Sequence, residues 1–388
     1  MSQYVLAAST RFADYFRFER ATGAITTLDG LRGIAVLLVL LRHATLPFQG
    51  QGEPILPILG WDVATIFING WIGVDLFFVL SGFLIAHHIM KARDLMEGQF
   101  HWRSYIAKRA LRIVPAYLFV MFIVVAGLIP GYRIAEEHLG LRVGYHLLFL
   151  QDYLPANIVV SFWSLGVEEK FYLLAPFLLL LLGVMRSFRQ RALLIGALIF
   201  CGIVLRCWTA VTYPEVMTYQ AYFPIFRSPF HLTMDGLLLG VLCAVICRDQ
   251  LVVRWLKRGA IPRYLLWGGC TVIGGFLAIG DLLGDITLFD KILQPTLIAV
   301  GFATILLGTI LGAGHGALLE SDSLFFLSRI SYPLYLIHLP LIPLGLALSG
   351  INAGFVSFLV VFAVLSLMAG LFIHYAVEKP FLILKARV

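Results

Sequence analysis

About ten stretches of some twenty apolar residues run almost end to end along this chain, at 28–46, 66–89, 110–130, 162–184, 192–212, 222–247, 264–283, 292–313, 329–348 and 354–376. Roughly 20 residues rising 1.5 Å each match a hydrocarbon core of about 30 Å. Backbone N–H and C=O groups inside lipid must be satisfied internally, so only helices and closed barrels cross it, and stretches of this length are helical. The expected fold class is therefore all-α, a polytopic integral membrane helical bundle of about ten transmembrane helices. Charged residues make up 13% of the 388 and mean hydropathy is +0.91, against about 25% charged in a soluble protein.

The basic residues orient the bundle. Lys91, Arg93, Arg103, Lys108, Arg109 and Arg112 crowd the second connection, Arg186, Arg189 and Arg191 the fourth, and Arg248, Arg254, Lys257, Arg258 and Arg263 the sixth, whereas 47–65 and 213–221 hold neither Lys nor Arg. The positive-inside bias then puts both termini in the cytoplasm. Only the eighth connection, with His315, Glu320 and Asp322 before Arg329, votes weakly. The net charge of +7 is thus accounted for by topology, and no nucleic acid partner is expected. Three regions follow: a cytoplasmic lead-in at 1–27 without a signal-peptide pattern, a membrane domain at 28–378 and a cytoplasmic tail at 379–388. Cys201, Cys207, Cys243, Cys247 and Cys270 lie in apolar runs without a CxxC, so neither disulfides nor a metal site is expected.

Ionisable residues inside these spans are expensive to keep there. Arg32 and His43 are eleven positions apart, close to three helical turns, so they share one face about 16 Å apart along the axis. Either they form an intramembrane site or each snorkels to its own headgroup layer. Asp75 is embedded in apolar neighbours and needs a cation, a hydrogen-bond network or a proton; Gly73, Ser81 and Gly82 beside it permit close helix approach. Arg109 and Arg112, three apart at the start of a helix, suit phosphate, whose oxygens guanidinium forks match two at a time; they would also serve as plain anchors. Glu168 and Glu169 point about 100° apart, with Lys170 placed to neutralise one of them, and Trp163 and Tyr172 read as interfacial belt residues. Arg227, His231 and Asp235 at i, i+4 and i+8 read as a self-satisfying ladder. Isolated Arg206 requires a partner, and His374 and Glu378 form a closing pair.

These segments together resemble the membrane-bound acyltransferase type 3 family of O-antigen, nodulation-factor and exopolysaccharide O-acyltransferases. The matching residues are Leu28-Asp29-Gly30-Leu31-Arg32-Gly33 with His43, Gly73 through Ile85, Arg109 through Pro115, Phe162 through Glu169, Ser331 through His338, and Glu378-Lys379-Pro380, in order along nearly the whole chain. One departure is Thr233, which stands two before Asp235 where relatives often carry an arginine.

The resemblance implies transfer of an acyl group, most simply acetyl from acetyl-coenzyme A, to a carbohydrate hydroxyl at a bacterial cytoplasmic (inner) membrane, with no bound cofactor. It marks Arg32, His43, Arg109 and Arg112 as functional. On this reading His43, Arg32 and Glu168 are catalytic, Arg109 and Arg112 bind the donor, and Asp75, Ser81, Trp163, Tyr335 and His338 support them. Glu168 would bind acceptor hydroxyls from the outer side or hold the His43 tautomer. A lipid or a secreted small molecule such as a macrolide is an alternative acceptor, and a transporter or flippase an alternative class. No hydrolase-like domain of the kind some relatives append follows the last span, so transfer would finish in the membrane domain or pass to another protein.

Overall fold

Proline placement decides where these apolar runs stay continuous. The computed structural model describes residues 15–16, 18, 20, 25–50, 53–95, 100–282, 284–313, 316–350 and 354–385 and is built almost wholly of helices. His315, the last three residues and most of the 1–27 lead-in lie outside them. The main helices are α1 Thr26–Thr45, α2 Gly73–Leu95, α3 Trp102–Val125, α4 Trp163–Val184, α5 Phe188–Thr212, α6 Asp235–Arg248, α7 Ile261–Ala278, α8 Gln294–Ile310, α9 Asp322–Ile337 and α10 Phe355–Ile373, one in each apolar window. Strand pairing among the described residues is confined to Pro57–Ile58 against Trp61–Asp62.

By length and hydropathy, four helical runs can cross a membrane alone: Thr26–Phe48, Ala64–Ala92, Phe188–Thr212 and Phe355–Lys385. Two bent pairs raise this to six, α6 with Gln250–Leu256 at 95° and α9 with Leu339–Ser349 at 63°. Such helices define an integral membrane protein. Their outward faces agree, since Phe200, Trp208 and Val211 of α5 are 64%, 74% and 79% exposed.

The expected unbroken helix over 222–247 is corrected. Tyr219–Tyr222 runs into a π turn at Phe223–Arg227, then Phe230–Thr233, before α6 begins. Pro224 and Pro229 explain the break: each lacks the N–H of a helical hydrogen bond, and Pro229 is itself extended at ψ 129°. Ser228 N–H instead donates to Phe223 O, five residues back, at 2.9 Å. The expected Arg227–His231–Asp235 ladder needs a continuous helix, and it does not form.

Helix α2 is the hub, packed against α1, α4, α6 and α8, with Phe78, Val79, Leu80, Phe83 and Ala86 at 1% exposure or less. Its contact with α6 is backbone to backbone: a Cβ on Gly82 would lie 2.0 Å from Leu237 O, and one on Gly240 2.2 Å from Val79 O. Gly73 stands likewise against Ala35 O at 2.6 Å, so the close approach expected of Gly73 and Gly82 is present. Gly240→Leu should therefore lower the thermal midpoint in detergent sharply, since overpacking costs about 1–3 kcal/mol or more. Gly274→Leu, around which there is open space, should not. Equal midpoints for the two variants would refute the close-contact account.

Candidate active site

Helices α1, α2, α3, α4 and α9 enclose a cavity of about 380 Å³, within the roughly 300–1,000 Å³ of small-molecule sites. Arg32, Ser81, Arg109, Arg112, Glu168 and Tyr335 all line it, together with Tyr172. Six side chains singled out from the sequence thus meet at one place. Tyr172 is only 6% exposed and is no belt residue, because its hydroxyl donates to Glu168 Oε2 at 2.7 Å. Ser81 Oγ donates to Glu168 Oε1 at 3.0 Å, so both carboxylate oxygens are engaged. Lys170 does not neutralise either glutamate: its ammonium meets Asp152 at 2.5 Å and donates to Phe149 O.

Charge around the cavity is unbalanced. Arg32, Lys108, Arg109, Arg112 and Lys385 line it, with Glu168 the sole carboxylate among the lining residues. None of the five cations has a carboxylate within 4.0 Å among the described residues. Arg109 lies over the Tyr105 and Tyr172 rings, 5.8 and 5.4 Å from their centroids. Packing onto aromatic faces holds a guanidinium in place without cancelling its charge.

Two buried arginines elsewhere are paired with carboxylates, whereas buried Arg142 is held by three backbone carbonyls and buried Arg42 has no carboxylate within 4.0 Å among the described residues. Arg227 meets Asp75 in a bidentate pair at 2.9 and 2.8 Å, with Trp71 and Trp163 each 5.1 Å from the guanidinium. Trp163, 7% exposed, therefore packs on an ion pair instead of sitting in an interfacial belt. Arg206 finds the partner it required in Asp235 at 2.6 Å and also donates to Leu232 O and Ile292 O. Thr233 Oγ1 donates to Arg227 O. His374 and Glu378 pair at 2.6 Å.

His43 does not line the cavity; it belongs to an adjoining pair. Its Nδ1 is 2.8 Å from Val39 O and 3.0 Å from His338 Nε2, and His338 Nδ1 is 2.8 Å from Tyr335 O. Carbonyl oxygens only accept, so both Nδ1 atoms carry protons and His338 Nε2 accepts from His43. That leaves the lone pair of His43 on Nε2. Val39 and His338, and not Glu168, hold the tautomer. Tyr335 joins the two places: its ring faces the cavity, its carbonyl anchors His338, and its hydroxyl accepts from Ser164 Oγ at 2.6 Å while donating to Ser161 O at 2.7 Å. Arg32 and His43 share α1 about three turns apart, and only Arg32 reaches the cavity.

Lys108, Tyr172 and Lys385 are among the lining residues that sequence reasoning did not assign to the site. Tyr172 was legible as the i+4 neighbour of Glu168; Lys385 had no local signal.

The fold defines an integral membrane helical protein, and its cavity is lined by five Arg and Lys side chains and one carboxylate. The chain matches the acyltransferase domain family over residues 25–375 and belongs to that family. It is 25% identical over 206 residues to the peptidoglycan O-acetyltransferase OatA of Listeria monocytogenes, covering 49% of this chain and 29% of that protein. It is 24% identical over 356 residues to the O-acetyltransferase OatA of Staphylococcus aureus, covering 85% of this chain and 53% of that one. A regulator of hypoxia-inducible factor 1 from Caenorhabditis elegans is 25% identical over 230 residues, covering 53% and 43% of the two chains. The chain thus spans under a third of one bacterial relative and about half of the other. No solved structure matches.

Breaking the Asp75–Arg227 pair from one side should be severe, since a lone buried charge costs about 3–5 kcal/mol. Asp75→Leu should lower the detergent midpoint strongly, and Asp75→Leu with Arg227→Met should recover much of the loss. A double variant no more stable than Asp75→Leu would show that the pair is not what holds the two helices.

Proposed function

We propose that the protein is a membrane O-acyltransferase that moves an acetyl group from acetyl-coenzyme A to a hydroxyl of a cell-surface or exported carbohydrate. The observation that carries this reading is the set of five uncompensated cations around one cavity. Like charges gathered around one cavity repel, and a ligand bearing several phosphates relieves that repulsion. Coenzyme A is such a ligand, and its thioester suits the acyl transfer of the family. The names of the bacterial relatives support a carbohydrate acceptor. On this reading the chain crosses the bacterial cytoplasmic membrane about ten times with both ends inside, and the cavity mouth at Lys108 and Lys385 faces the cytoplasm.

Arg109, Arg112 and Lys108 hold the donor's phosphates, where guanidinium forks give two bonds each. The acyl arm passes Arg32 and Glu168 toward Tyr335. Glu168, sharing the cavity with the arginines, accepts an amide N–H of that arm in place of an acceptor hydroxyl. The acceptor hydroxyl approaches His43 from the other side. Its oxygen attacks the thioester carbonyl carbon as His43 Nε2 takes its proton, the C–S bond breaks, and the same proton passes to the departing thiolate. His338 is the positioning residue that keeps the proton of His43 on Nδ1 and the lone pair on Nε2.

His43→Ala should cut coenzyme A release in the presence of a peptidoglycan or polysaccharide acceptor by about 10²–10⁴-fold, the usual worth of a general base. Mass spectrometry with labelled acetyl-coenzyme A reads both the released coenzyme and the acetylated acceptor. Activity within a fewfold of wild type would sink His43 as the base. Movement of glycan across vesicles with no acetylated product would favour a transporter. Arg109→Ala with Arg112→Ala should raise KM for the donor and weaken its dependence on salt; an unchanged KM would refute the phosphate assignment.

A further inference from the structure

The chain following α10 turns back onto the cavity. A π turn at His374–Glu378, closed by the His374–Glu378 pair at 2.6 Å, leads into the helix Lys379–Lys385, which packs along α3. Helix α3 carries Lys108, Arg109 and Arg112, and Lys385 lines the same cavity as all three. Lys385 has no carboxylate within 4.0 Å and no hydrogen-bond partner among the described residues. The one carboxylate in the lining, Glu168, already accepts from Ser81 and Tyr172. A lysine added to three unpaired cations raises the repulsion of the empty cavity, so it works against the resting structure. A multiply charged anion between α3 and this helix would relieve that repulsion.

Resting on the acyl-coenzyme A reading above, we infer that Lys385 is a donor-binding residue, and that the Lys379–Lys385 helix acts as a charged latch which the donor's phosphates draw against α3. Occupancy and docking of this helix are then linked. The donor adds the attraction that the empty site lacks, and by mass action whatever binds the docked form favours it. An ammonium serves here because a point charge on a flexible stem can follow phosphate oxygens as the latch closes.

The test compares wild type, Lys385→Gln and Lys385→Arg in detergent by calorimetry with coenzyme A, thermal unfolding with and without it, and steady-state kinetics with acetyl-coenzyme A. Losing one charge-assisted contact to phosphate should raise Kd and KM about tenfold. The kcat should stay unchanged, and arginine should restore both constants. The midpoint of empty Lys385→Gln should equal or exceed that of wild type, while its gain on adding coenzyme A shrinks. Unchanged Kd in Lys385→Gln, with wild type binding normally, overturns the inference. A lowered midpoint of the empty variant with unchanged Kd also overturns it, because Lys385 would then be a packing residue. Failure of wild type itself to bind coenzyme A overturns the donor reading on which the latch rests, and is a distinct result.

Discussion

Arg227 can be buried between Trp71 and Trp163 only because Asp75 faces it. That one pair fastens the broken sixth segment to α2, the helix against which α1, α4, α6 and α8 all pack. In a low-dielectric interior a lone charge is far costlier than a pair, so the position of the π turn and the register of α2 are set together. The bare backbone contacts at Gly82 and Gly240 then bring α6 close enough to complete the core. Ser81, between these contacts, is thereby held on the wall of the cavity.

Against this background the cavity stands out by contrast. Arg206 and Arg227 are matched by Asp235 and Asp75, and His374 by Glu378. The protein has carboxylates to spend on buried cations and spends none on Arg32, Arg109 or Arg112. Several cations without carboxylate partners gathered around one cavity are the observation on which the proposed anionic donor rests. The His43–His338 pair is a hydrogen-bonded unit beside that cavity, with Tyr335 as the physical link between the two.

Much of the site was legible in the sequence because membrane burial makes polar residues conspicuous. Arg32, Ser81, Arg109, Arg112, Glu168 and Tyr335 stood out against apolar surroundings, and all six line the cavity. Partner assignments fared less well. Lys170 reaches Asp152 instead of the adjacent glutamates, Arg227 reaches Asp75 instead of its own helix, and Trp163 is buried. Each depended on which helix lies opposite, and no local pattern carries that information.

Apolar length alone dictated that this chain is helical and lies in a membrane, because lipid leaves backbone groups no other partners. The break at Pro224 and Pro229 was not read from the sequence, where hydropathy averaging gave one span over 222–247. Tertiary structure decided which cations go unpaired, that His43 and Arg32 serve adjoining places, and that Lys385 returns to the mouth of the cavity from more than 270 residues beyond Arg112. The reason is physical: a helix fixes what lies three or four residues away, while charge compensation is settled between helices that only packing brings together.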